Sequence, residues 1–374
     1  MAPLVIDVRS AEDSRDVVHR AVQALAEGKL VVFPTETVYA LAASALNEDA
    51  IAEMLAVKQR AAGEKPLTLA VKSADDALDY APKMSKLALR LARRCWPGPV
   101  TLVCPDDHPE SLINQLPSSV QQAVAPERLV GLRVPGHETF LDVLRMLAGP
   151  VAMTSANRTG EPEPYSAQQV VSALGDDVAL VLDDGRSRFA QASSVVKVDD
   201  EGFSVLRSGV VSEQTLRRLS SLFLLFICTG NTCRSPMAEA MCRKLLAERV
   251  GCSIDELEEK GIVVMSAGLS AYMGGRPAAE AVDVMRAMGV DLTQHESQPL
   301  TAQLVRHADV IWTMTRSHRQ AILAQWPEAA KRCELLCLDL RDVPDPIGGP
   351  VELYQQCAEQ IKAELEGRLK QLEI

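Results

Sequence analysis

The chain has 374 residues, 47% hydrophobic and 24% charged, with a formal net charge of −11. This length exceeds one typical domain, and the composition excludes a disordered or collagen-like chain. The charge is shared, −6 over residues 1–220 and −5 over the remainder, which disfavours a binder that grips nucleic acid through a basic face.

In chain order, Ser10-Ala11-Glu12-Asp13 has the form of a capping box. Val18, Ala21, Val22 and Leu25 then make one apolar stripe before Gly28. Lys29–Phe33 reads as a strand that runs into the polar turn Pro34-Thr35-Glu36-Thr37-Val38-Tyr39, a placement typical of a site loop. Helical patterns follow at 48–60, 74–80, 84–94 and 138–148, and strands near 67–72, 100–104, 130–134, 150–153, 179–182 and 194–198. This mixture predicts a twisted α/β domain that closes with a helix at 212–220. A second begins at once with the apolar strand Leu222–Ile227. The expected boundaries are therefore 1–219 and 220–374, with no Gly/Ser/Pro-rich linker between them. The longest apolar run, 222–228, is far short of the roughly 20 residues a membrane helix needs. The first residues meet a charge too early for a signal peptide, and nine irregularly spaced cysteines read as reduced thiols, so a cytoplasmic protein with no membrane partner is expected.

Chemistry in the first half is distributed over separate loops. Lys58-Gln59-Arg60 and Lys65 supply cations around a turn at Gly63, a combination that suits a polyphosphate. Trp96-Pro97-Gly98-Pro99-Val100-Thr101-Leu102, Gly131-Leu132-Arg133-Val134-Pro135, Ser155-Ala156-Asn157, Ser193-Ser194-Val195 and Arg207-Ser208-Gly209 add arginines, hydroxyls and an amide. Each is weak alone. Their order resembles the YrdC family of threonylcarbamoyl-AMP synthases over roughly residues 10–212. The resemblance implies that L-threonine, bicarbonate and ATP are joined with release of pyrophosphate, with Mg²⁺ accompanying the ATP, for transfer to a tRNA adenosine by tRNA-modifying partner proteins. It places Thr35 at threonine, Lys58 and Arg60 at the anionic substrates, and Arg133 at threonine or phosphate. Ser155 and Asn157 fall at ATP, and Ser193, Ser194 and Arg207 around threonine and nucleotide. Ala40 stands where the family usually has glycine, and Ala70 where some members carry a substrate-touching histidine.

In the second half, Cys228-Thr229-Gly230-Asn231-Thr232-Cys233-Arg234-Ser235 joins the apolar strand to a helix, with Ser235 as expected N-cap and Pro236 as first helical residue. A helix N-terminus favours a phosphate and stabilises the thiolate, the only form in which cysteine attacks. Arg234 offers a planar fork for a phosphoryl group, and Gly230 lets the backbone wind tightly around the anion. The octet resembles the signature of the low-molecular-weight protein phosphatases, and the likeness continues through Ser266-Ala267-Gly268, His295, Ser297, Met314, His318, Asp345-Pro346 and Tyr354. It implies a doubly wound parallel sheet, phosphorylated proteins as substrates, no metal or other cofactor, and Asp345 as general acid. Asp339 and Asp342 read as solvated loop carboxylates. Cys233 either packs beneath the loop or serves as a disulfide partner for Cys228, and Cys333 with Cys337 read as core. Thr232 matches members that resemble protein-arginine phosphatases, whereas tyrosine-directed members commonly carry a bulky aliphatic there. Ile347 replaces an aromatic that often flanks a planar substrate. A phosphoarginine phosphatase is favoured. The alternative is a phosphotyrosine phosphatase fused to a catalytically weakened YrdC-like nucleotide- or RNA-binding module.

Overall fold

A computed structural model describes residues 2–372. They form two compact units that divide between Leu216 and Arg217, within the helix Glu213–Ser220.

The first unit is built on a mixed ten-stranded sheet. Its strands are β1 (Leu4–Asp7), β2 (Val31–Phe33), β3 (Ala40–Ser44), β4 (Thr68–Ala70), β5 (Val100–Pro105), β6 (Leu129–Arg133), β7 (Val151–Ser155), β8 (Leu180–Asp183), β9 (Ser194–Val198) and β10 (Phe203–Arg207). They are ordered β1-β8-β2-β3-β7-β4-β6-β5-β9-β10. The first helix is Ser14–Ala26, and its cap is Asp13, whose carboxylate accepts from the Arg15 amide; the expected start at Ser10 is corrected. The helix Glu48–Val57 stops short of the expected residue 60 because Gln59 turns into the left-handed region at φ 51°. Ala40–Ser44, alanine-rich, is a buried antiparallel strand between β2 and β7. Phe33 stacks on Phe140 beneath it, with ring centroids 4.2 Å apart.

The second unit is a four-stranded sheet in the order β12-β11-β13-β14, comprising β11 (Leu222–Cys228), β12 (Ile262–Gly268), β13 (Val310–Thr313) and β14 (Cys333–Leu335). All three pairings are parallel. The continuous apolar run of β11 follows from burial on both faces. Leu224 and Phe226 enter one core with the helices Arg234–Val250 and Val351–Lys370, while Phe223, Leu225 and Ile227 enter another with the helices Ala302–His307 and Arg316–Gln325. The run therefore ends at the carboxyl edge of the sheet, where such folds hold their ligands. None of the described helices is long and apolar enough to cross a membrane.

Candidate active sites

One face of the first sheet floors a cavity of about 740 Å³. Strand alternation presents Leu129, Gly131 and Arg133 of β6 to it, with Thr101 and Val103 of β5 alongside. Thr35, Lys58, Arg60, Ser155, Asn157, Ser193 and Arg207 also line it, as do Lys65, Glu161 and Glu163. Ser194 does not. As first residue of β9 it faces away from its neighbour Ser193, and its hydroxyl bonds the Val211 backbone, donating to the carbonyl at 2.7 Å and accepting from the amide at 3.0 Å.

Polar groups around the cavity are knitted together. The Lys58 ammonium is buried and donates to the Ser155 carbonyl at 2.9 Å, to Asn157 Oδ1 at 2.9 Å and to the Asn157 carbonyl. Burial, with the Arg60 guanidinium beside it, brings Lys58 down to about 8. Ser155 donates to Asn157 Oδ1 at 2.6 Å, and Asn157 Nδ2 donates to the Glu161 carbonyl at 2.6 Å, so the Ser-Ala-Asn turn and Lys58 form one rigid corner. Thr35 accepts from the Thr37 amide and donates to the Val38 carbonyl at 2.6 Å, holding its own turn closed.

Arg133 is committed to protein partners: Glu36 Oε1 at 2.7 Å, Thr37 Oγ1 at 3.0 Å and the Gly98 carbonyl at 3.1 Å. Glu36, which the sequence reading did not single out as a site residue, also accepts from the Gly136 amide at 2.8 Å and so ties its turn to the end of β6 and the loop that follows. Arg207 donates to Ser193 through both its carbonyl and its hydroxyl. Arg60 differs from these arginines. Its Nε and Nη2 are buried and have no hydrogen-bond partner among the described residues, and burial lowers the pKa of the group. An orphaned buried cation costs free energy until an anion pairs with it. Ala40 lines the cavity, whereas Ala70 is fully buried between Arg133 and Val151 in the sheet and does not reach it.

The carboxylates at the cavity form no cluster of three metal-ligand side chains among the described residues. These residues do not build a resident Mg²⁺ cage; Mg²⁺ that arrives on substrate phosphates needs only one or two protein carboxylates.

In the second unit, β11 delivers Cys228 to the start of a loop that winds into the helix Arg234–Val250. The helix begins two residues earlier than expected. Its N-cap is Cys233, because the Ser235 hydroxyl is occupied elsewhere, 3.0 Å from Cys228 Sγ and 2.9 Å from Asn231 Nδ2. The Asn231 amide donates to Cys228 Sγ at 3.2 Å. Asn231 itself is fully buried at φ 56°, and its side chain also donates to Ser266 Oγ at 2.8 Å and accepts from the Gln298 amide at 2.9 Å. Beneath it, Ser266 donates to Glu239 at 2.6 Å, and burial pushes that carboxyl up. Only glycine fits at 268, where a Cβ would lie 2.6 Å from the Thr229 carbonyl oxygen.

Arg234 is buried and donates to Asp345 Oδ2 at 2.5 Å and to the Val343 carbonyl at 3.2 Å, while the Asp345 side chain is 44% exposed. The Thr232 side chain is half-buried. Cys233 lies 3.7 Å from Thr232 Oγ1 and 3.8 Å from the Tyr354 hydroxyl, and burial raises its thiol pKa. All nine cysteines are free, and Cys333 and Cys337 are buried. Asp339 caps its own turn at Arg341, and Asp342, a loop carboxylate with its side chain 40% exposed, accepts at Oδ1 from the Arg316 amide at 2.8 Å.

A thiol supplied with hydrogen-bond donors at a helix N-terminus, with a guanidinium that pairs a half-exposed carboxylate, and a cavity lined by the cations Lys58, Arg60, Lys65, Arg133 and Arg207, define a protein built to handle phosphoryl groups in two places. Residues 23–209 match the family described as Telomere recombination (Sua5, YciO and YrdC), and residues 223–374 the Low molecular weight phosphotyrosine protein phosphatase family. The threonylcarbamoyl-AMP synthase of Pyrococcus abyssi is 35% identical over 185 residues, 49% of this chain; the match spans about half (51%) of that relative. The protein-arginine-phosphatase of Bacillus subtilis is 36% identical over 153 residues, 40% of this chain and 95% of the relative. The crystal structure of P. abyssi Sua5 with L-threonine aligns over 71% of this chain and 92% of its own with a TM-score of 0.52 at 20% identity, which is a likeness of fold. The chain belongs to both families, a nucleotidyltransferase family followed by a hydrolase family.

Proposed function

We propose that this is a bifunctional enzyme of the cytoplasm: residues 1–219 make threonylcarbamoyl-AMP from L-threonine, bicarbonate and ATP, and residues 220–374 dephosphorylate protein phosphoarginine. The observation that carries the first activity is Arg60, a half-buried residue whose guanidinium Nε and Nη2 are buried and have no hydrogen-bond partner among the described residues, at a cavity large enough for a nucleotide. Arg60 binds the phosphates, and Lys58, whose three N–H groups bond Ser155 and Asn157, adds its positive charge beside them. Ser155 and Asn157 shape the nucleotide corner. Thr35, Ser193 and Arg207 hold threonine, and Arg133 holds the loop of Glu36 in place. The product is a mixed anhydride formed as the carbamate oxygen bonds to the α-phosphorus and pyrophosphate leaves, and partner proteins pass the carbamoyl group to a tRNA adenosine. Positioning and charge suffice for such a transfer, and no covalent enzyme intermediate is needed.

In the second unit the Cys228 thiolate attacks phosphorus, the P–N bond breaks, and Asp345 gives its proton to the leaving guanidine nitrogen. Water then attacks the phosphocysteine with Asp345 as base, releasing phosphate and restoring the thiolate. The amides of the loop and Arg234 hold the phosphoryl oxygens. Thr232 carries the choice of phosphoarginine: its half-buried hydroxyl provides a hydrogen-bonding group where an aliphatic side chain would only pack. The test pairs two assays. Pyrophosphate should appear only when ATP, threonine and bicarbonate are all present. Phosphate should be released faster from phosphoarginine than from phosphotyrosine peptides, and Thr232→Ile should shift that ratio toward tyrosine. Faster turnover of phosphotyrosine by the wild type would overturn the arginine assignment.

A further inference from the structure

The loop that carries Asp345 is held at a point the phosphatase chemistry does not use. Asp342 Oδ1 accepts from the Arg316 amide at 2.8 Å and faces Arg316 Nε at 3.4 Å, although it lies 26 residues away in sequence. Arg316 opens the helix Arg316–Gln325, which already has a local cap in Thr315, whose hydroxyl accepts from the His318 amide at 3.2 Å. A second carboxylate at this N-terminus is favourable through the helix dipole, but the helix does not require it. What the contact fixes is the loop. The next residue, Val343, is fully buried, donates its amide to the Met314 carbonyl at 2.8 Å and accepts from Arg234 at 3.2 Å.

The same helical turn reaches the phosphate loop from its other side. His318 Nε2 lies 2.9 Å from Thr229 Oγ1, the residue next to Cys228, and the imidazole is buried with Nδ1 unpartnered among the described residues. One turn of helix thus touches both the loop that holds the nucleophile and the loop that holds the acid. We propose that the first turn of Arg316–Gln325 is the joint that registers the acid loop on the phosphate loop, with Asp342 and His318 as its positioning residues. This rests on the reading of the second unit as a phosphatase with Asp345 as acid.

The two residues should leave different kinetic signatures. Asp342→Ala frees the acid loop and should lower kcat/KM, which reports phosphoryl transfer to Cys228 and not the later hydrolysis, on phenyl phosphate, a poor leaving group, on the order of 10-fold to 10²-fold. The kcat/KM for p-nitrophenyl phosphate, whose leaving group needs little protonation, should fall less than about threefold. Asp342→Asn keeps an oxygen for the Arg316 amide and should restore most of the loss. His318→Gln, and His318→Leu as a second variant, disturb the phosphate cradle and should slow both substrates by a similar factor. Asp345→Ala, measured alongside, separates the two ideas. If Asp345→Ala changes the ratio of the two substrates and Asp342→Ala does not, the joint is wrong and the acid stands. If Asp345→Ala leaves the ratio unchanged, the acid assignment fails and takes the joint with it. An Asp342→Asn variant no better than Asp342→Ala also overturns the joint.

Discussion

Asn231 concentrates more of the second unit's architecture than any other residue of the phosphate loop, and its replacement can be worked through in numbers. Its side chain makes three hydrogen bonds, to Ser235, Ser266 and the Gln298 amide, from a fully buried position. At a net value of about 1 kcal/mol each, Asn231→Ala loses about 3 kcal/mol. The backbone at φ 56° adds a further cost of about 1 kcal/mol, because asparagine tolerates the left-handed region and alanine does not. Ser266 keeps its bond to Glu239, so the unsatisfied group left behind is the Gln298 amide. The expected destabilisation is about 4 kcal/mol for alanine and about 3 kcal/mol for Asn231→Gly, which adopts the same φ without the Cβ clash. A urea titration that follows turnover of p-nitrophenyl phosphate isolates this unit from the other. The glycine variant should have the higher midpoint. Two variants equal to each other, and within about 1 kcal/mol of wild type, would refute the claim that this side chain holds the loop.

Three further outcomes are expected. Asp345→Ala should slow poor leaving groups by on the order of 10²–10⁴ while activated aryl phosphates change far less, measured as kcat/KM on a leaving-group series. Arg60→Ala should abolish pyrophosphate release from ATP, threonine and bicarbonate without lowering stability, since the guanidinium nitrogens Nε and Nη2 have no hydrogen-bond partner among the described residues to lose; retained synthesis would make it a bystander. Lys58, brought down to about 8 by burial, is charged below that pH and loses its charge above it, so the KM for ATP should rise as pH is raised from 7 to 9.5, and a flat profile would show that its charge does not act on the phosphates.

The parts of the sites legible in the sequence are those contiguous along the chain. Cys228 to Ser235 is one strand, loop and helix start, so its chemistry is readable from eight letters. Asp345, 111 residues from its partner Arg234, is placed by family resemblance alone. The Arg133–Glu36 pair spans 97 residues, and nothing local to either shows that the arginine is already committed. The adjacent serines 193 and 194 could not both face the cavity once they lay at the edge of a strand, because the period of two sends one to each side. Ala40–Ser44 escaped notice because alanine favours helices, and only its burial between two strands makes it extended. Asp342 keeps its side chain 40% exposed, as a loop carboxylate should, but its bond to the Arg316 amide is not legible, because a helix start 26 residues away leaves no charge pattern.

The central claim is that one chain carries two chemistries with separate catalytic groups. The direct measurement is Cys228→Ser, assayed in the full-length protein for both products. The account predicts that phosphate release from phosphoarginine disappears while pyrophosphate release from ATP, threonine and bicarbonate stays at the wild-type rate. Parallel loss of both activities in a folded variant, or phosphate release that survives the substitution, would contradict it.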